Sequence, residues 1–211
     1  MRNSFVSNYD VMRDAMEAAF LAYNQSVMID KYGLSHNQDF LFISFVGITY
    51  RINRFTGRVE YPSATATAYL HADYNVSMTI FDVLCYARPF CRPSETYVSL
   101  SGLKSGAQAL SPGSDLFKRQ RDLFTGKCPQ LKAACEKLGG IPQQVGDVSY
   151  KIPLFDFLPV ILQFWDADEE FDSVLKFMWN ENILDYMHYE TTFFAASHLL
   201  SRLTELAGVN S

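Results

Sequence analysis

Cysteine is scarce in this 211-residue chain, with Cys85, Cys91, Cys128 and Cys135 its only copies. The spacings between the first pair and the second pair, five and six residues, do not give the C-x2-C pairs of zinc or iron–sulfur ligation. Four cysteines in a chain of this length read as buried thiols in a reducing compartment. Long apolar runs are missing too. None approaches the ~20 residues of a membrane span, and Arg13, Asp14 and Glu17 interrupt what would be the apolar stretch of a signal peptide. The expectation is therefore a cytoplasmic protein without a membrane partner. Charge is modest, 19% of residues with a net −5. Residues 115–138 are locally basic, but the acidic balance of the whole argues for a solvated face and against a nucleic-acid partner.

Recognisable catalytic patterns are also lacking. No G-x-S-x-G elbow or H-E-x-x-H helix occurs. The stretch Ser101-Gly102-Leu103-Lys104-Ser105-Gly106 has glycines and a lysine but not the Walker spacing, so it reads as part of a loop over residues 101–114. No repeat, low-complexity tract or linker divides the chain, which reads as a single globular domain over residues 1–211.

Aromatic residues are plentiful, at 15% with 17 phenylalanines, and each buries roughly 150–250 Å². Residues 11–23 carry apolar positions at helical spacing, with Asp10 as the expected N-cap and Gly33 as the stop. Residues 40–45 and 48–52 read as a hairpin broken at Gly47. A second turn ending at Gly57 leads into residues 58–61. Residues 74–87 read as a helix stopped by Pro89, residues 97–100 as a strand, and residues 118–138 as two short helices parted near Gly126. Residues 148–152, 157–165 and 174–179 read as strands, the middle one apolar on both faces and hence central in a covered sheet. Phe193, Ala196, Leu200, Leu203 and Ala207 fall on one face of a final helix. The fold class is α+β: a mostly antiparallel sheet with an N-terminal helix, central helices and a C-terminal amphipathic helix packed on it.

The sharpest local feature is Trp165-Asp166-Ala167-Asp168-Glu169-Glu170-Phe171-Asp172. Five carboxylates in seven residues repel one another unless solvent, a cation or positive side chains compensate. The spacing is not that of an EF-hand loop. A solvated turn, in which one or two carboxylates cap backbone amides, accounts for it; a ligand-binding turn is the functional alternative. His188 and Glu190, just ahead of the last helix, form a His-x-Glu pair that can transfer protons or ligate metal. Glu190 also suits the helix dipole, and His198 reads as a packed residue.

Three stretches together resemble the uncharacterised prokaryotic family number 3786 of the domains of unknown function. They are residues 45–52 with Thr56-Gly57-Arg58-Val59, residues 94–100, and the acidic run from Trp165 to Phe171, with Glu190 as a further match. Tyr97 stands where tryptophan is more usual in that family. The resemblance implies a protein of anaerobic bacteria or archaea, and it implies that the acidic turn matters structurally or as a binding surface. Some members are fused to a four-cysteine iron–sulfur domain; this chain has no such cluster, so a redox or corrinoid role does not carry over.

Taken together, the expectation is a non-catalytic accessory protein that binds a small molecule or a protein partner through Trp165, Asp166, Asp168, Glu169, Glu170, His188 and Glu190. No cofactor, catalytic residue or metal ligand is assigned. The alternatives are a divalent-metal-dependent, hydrolase-like enzyme using the acidic turn with His188, or a structural subunit of a homo-oligomer.

Overall fold

The computed structural model describes residues 7–103 and 117–209. Residues 104–114 of the expected loop lie outside them. The chain divides into two compact units: residues 1–91 with 185–195, and residues 92–184 with 196–211.

In the first unit, helices α1 (Asn8–Phe20) and α2 (Gln25–Tyr32) precede strands β1 (Phe40–Phe45), β2 (Ile48–Asn53), β3 (Val59–Pro62) and β4 (Tyr69–His71). The four strands form an antiparallel sheet in chain order. Ser7, not Asp10, caps α1, its hydroxyl accepting from the Tyr9 amide, while Asp10 in the first turn pairs with Arg13. Gly33 ends α2 at φ +60°. The β1–β2 turn has only Val46 and Gly47 between the paired Phe45 and Ile48, and both sit at positive φ, as a type I′ hairpin requires. Leu41, Ile43 and Phe45 alternate inward on β1, facing Tyr50 and Ile52 of β2 among the buried residues. The short β4 carries little apolar pattern and was not visible in the sequence.

Helix α3 (Tyr74–Phe81) starts at Asp73, whose carboxylate accepts from the Val76 amide, and packs on α1 through Phe20 and Phe81, whose rings lie 5.6 Å apart. It continues into one π-helical turn, Asp82–Tyr86, which closes with the Ala87 amide on the Asp82 carbonyl. The expected helix over residues 74–87 is therefore present but wider in its last turn. Such turns shift the phase of every side chain after them.

The second unit contains β5 (Tyr97–Ser99), α4 (Lys118–Phe124), α5 (Cys128–Lys137), β6 (Ile141–Pro142), β7 (Val148–Phe155), β8 (Leu158–Trp165) and β9 (Val174–Asn180). Its sheet has the order β5-β9-β8-β7-β6, entirely antiparallel. The single sheet expected from the sequence is thus two sheets, one in each unit, in an α+β chain. Strand β8 is central, as expected. Its Leu158, Val160, Leu162 and Phe164 are fully buried, but Ile161 and Trp165 on the other face are only half-buried. Cross-strand partners explain the difference: Lys151 sits opposite Ile161, and Gln163 faces Lys176, so polar groups hold that face at water.

Helix α6 (Tyr189–Ala207) closes the chain, and the division between units falls inside it after Ala195. Ala196, Leu199, Leu200 and Leu203 are buried along it, while Phe193 is half-buried.

Candidate functional site

The first unit holds a cavity of about 530 Å³, within the ~300–1,000 Å³ of small-molecule sites. Its walls come from α1, α3 with its π turn, and the start of α6. Phe81, Tyr86 and Phe194 supply ring faces, and Met16 and Met78 supply thioethers. Tyr74 meets Phe194 edge-on at 5.6 Å between centroids.

One wall is polar and tightly organised. Asp82 opens the π turn with its side chain only 8% exposed. Its carboxylate accepts from the His188 amide (2.8 Å), His188 Nδ1 (3.0 Å) and the buried Thr191 hydroxyl (2.5 Å). A carboxylate only accepts, so Nδ1 must carry a hydrogen and neutral His188 keeps Nε2 as its acceptor. The anion also sits at the start of α6, where the helix dipole and the free amides favour negative charge. Tyr86 lies against the imidazole, the ring centroids 3.8 Å apart and the planes inclined by 32°. The ring is thus fixed in orientation by one bond and one ring contact while its side chain stays 53% exposed. Such a histidine can give or take a hydrogen bond, or a proton, at Nε2. Glu190, exposed in the first turn of α6, lines the same cavity. Cys85 also reaches it, but burial, reinforced by the Asp82 carboxylate, pushes its thiol up to about 12, so it is no thiolate nucleophile at neutral pH.

The acidic turn belongs to the second unit. Asp166 accepts from the amides of Gly126 (2.8 Å) and Ala167 (2.9 Å) and from the Cys128 thiol (3.4 Å), while its own amide donates to Asp147 (2.8 Å). Burial alone would raise the Asp166 carboxyl, but these hydrogen bonds outweigh it and hold the group below its ordinary value. Asp168 accepts from the amides of Glu170 and Phe171, both at 2.8 Å. Amide capping is therefore what these two aspartates do. Glu169 and Glu170 are exposed, and Trp165 is half-buried with Lys176 Nζ 5.2 Å from its ring centre. Phe171 is 69% exposed, because the turn carries it past the end of the paired strands, which stop at Trp165 and Val174.

Of the seven residues singled out in the sequence, His188 and Glu190 therefore share a cavity in one unit, and Trp165, Asp166, Asp168, Glu169 and Glu170 share a turn in the other. Asp82 was missed. The available signal was an acidic residue set between Phe81 and Val83 in an otherwise apolar stretch. A further group was also missed: Asp14, Glu17 and His71 place candidate ligand atoms within 4.8 Å of one another.

A family model for a domain of unknown function, DUF3786, matches residues 25–202. The chain belongs to this family. The match takes in the π turn, the Asp82–His188 pair and the acidic turn, while α1 precedes it. No curated protein and no solved structure matches the chain. No described helix is long and apolar enough to cross a membrane.

Proposed function

We propose that the chain is a binding protein for a small, largely apolar molecule without negative charge, held in the cavity of the first unit with His188 as its polar anchor. The observation that carries this reading is the Asp82 carboxylate, buried and saturated by three donors, orienting His188 on the wall of an aromatic cavity. Asp82 and Glu190 are the charged residues on that wall, and among the described residues no lysine or arginine lines it. A phosphate or carboxylate would have no counter-charge there, whereas a neutral or cationic aromatic compound gains ring contacts and a bond to Nε2.

Three naphthalenes differing in charge test the idea: 2-naphthol, 1-naphthylmethylamine and 2-naphthoate, titrated calorimetrically. The expected result is binding of the first two, weakened at least about five-fold in His188→Ala by loss of one hydrogen bond, and none of the third. Tightest binding by naphthoate, or affinities unchanged in a folded His188→Ala, would sink it.

The same oriented imidazole favours a second reading, proton-transfer catalysis on the bound molecule, because a carboxylate–histidine pair is the usual arrangement of a general base. A metal-dependent hydrolase built on the acidic turn has weaker support, since Asp166 spends both oxygens, and Asp168 its Oδ1, on capping bonds. Among the described residues all four cysteines are free, which supports a reducing cytoplasm and agrees with an origin in an anaerobic prokaryote. A protein partner or a homo-oligomer belongs to the same proposal. Exposed Val11 and Met12 on α1 support it, and sizing chromatography coupled to light scattering reads it out.

A further inference from the structure

The cavity leaves unexplained a second cluster in the first unit. Asp14 and Glu17 stand three residues apart and hence on one face of α1, and the end of β4 sets His71 beside them. His71 Nε2 lies 2.6 Å from Glu17 Oε1, and one ligand atom from each of the three residues lies within 4.8 Å of the others. Glu17 is only 7% exposed, an unusual setting for a carboxylate. Its main chain is held as well: Gly57, at φ +76°, comes so close to the Glu17 carbonyl that a Cβ there would sit 2.0 Å from the oxygen.

The hydrogen bonds are unevenly shared. The His71 contact and the bond from the Val59 amide both fall on Glu17 Oε1. Both bonds from Arg13 to Asp14 fall on Oδ1. Among the described residues nothing bonds to Glu17 Oε2 or Asp14 Oδ2. Charge points the same way: among the described residues Arg13 pairs with Asp10 and Asp14, and no lysine or arginine pairs with Glu17.

We propose that Asp14, Glu17 and His71 form a binding site for a first-row divalent transition-metal cation. One imidazole and two carboxylates are a borderline donor set that suits zinc, cobalt, manganese or ferrous iron; magnesium and calcium prefer oxygen alone. Three protein ligands leave open positions for water. Bound ligand atoms sit about 3–3.5 Å apart around an ion with bonds near 2.1 Å, so His71 Nε2 and Glu17 Oε1 must part by somewhat under 1 Å. On binding, the hydrogen held between them is released to solvent, Nδ1 carries the ring's remaining hydrogen, and the cation takes the Nε2 lone pair.

The test is cobalt(II) titrated into untagged, chelator-stripped protein, followed by visible absorption and calorimetry. A single equivalent with a d–d band is expected, lost in His71→Ala and weakened at least ten-fold in Asp14→Ala. Asp14 is exposed, so that second variant keeps its fold even if the first does not. Magnesium at the same concentration should leave the heat trace flat. Absence of a stoichiometric site in the wild-type protein, or a cobalt spectrum indifferent to both substitutions, would overturn the assignment.

Discussion

Gly57 is bound to its place by two separate constraints, a left-handed φ of +76° and the Glu17 carbonyl against its missing side chain. Either alone disfavours alanine, and the carbonyl is backbone, which cannot rotate aside. Gly57→Ala should therefore cost at least ~2 kcal/mol, read as a lower urea midpoint with unchanged slope; a shift within error would mean that the turn and α1 move apart freely. Asp166 makes a prediction about pH. Its carboxyl is held below the ordinary value in the folded protein, so its stabilising contribution is complete above the unfolded-state pKa and disappears as pH falls through the lower folded one. Asp166→Asn, which keeps one acceptor but no charge, should be less stable at neutral pH and lose less between about pH 5 and pH 3. Parallel stability–pH curves for the two proteins would contradict this.

Among elements, β8 and the π turn show what a sequence can and cannot convey. The alternation of Leu158, Val160, Leu162 and Phe164 is local and period two, and it marked the central strand and its buried face correctly. Leu162→Ala should cost ~2–5 kcal/mol by the cavity it opens, measurable by chemical denaturation. On α1 the same kind of reasoning found the helix but not its inward side. Val11, Met12, Ala15, Ala18 and Ala19 face solvent, Met16 lines the cavity, and full burial falls on Glu17 and Phe20, because a partnered carboxylate outcompetes small side chains for the covered face. The wall of the cavity was the least legible part. Asp82 and His188 are 106 residues apart in the chain, and Glu17 and His71 are 54 apart; neither pair leaves a spacing motif. What the acidic run did convey was a turn, and Asp166 and Asp168 cap amides as a turn requires. Asp82→Asn tests the wall as a unit. An amide puts a donor among three donors, so ~1–3 kcal/mol of stability should be lost, and the naphthol affinity should fall with it through the released imidazole. An unaltered urea midpoint would show that the three hydrogen bonds contribute nothing net.

At the scale of the whole chain, the first unit is discontinuous: residues 185–195 return to it after the second unit has been made. Those eleven residues bring every donor that satisfies Asp82, together with the buried Tyr186, Met187 and Ala195. Closing so long an excursion costs only a few kcal/mol in chain entropy, but the contacts it enables are non-local and so form slowly. A chain ending at residue 184 keeps all nine described strands yet leaves a buried carboxylate without its partners and a hole where Tyr186 and Met187 belong. Such a charge is expensive inside a protein unless it is paired. The truncated chain should lose its cooperative thermal transition and bind a hydrophobic dye, whereas full-length Glu190→Gln, altered only at an exposed position, should melt like the wild type. A sharp transition at the wild-type temperature in the truncated chain would mean that the returning segment is dispensable and that Asp82 finds its partners elsewhere.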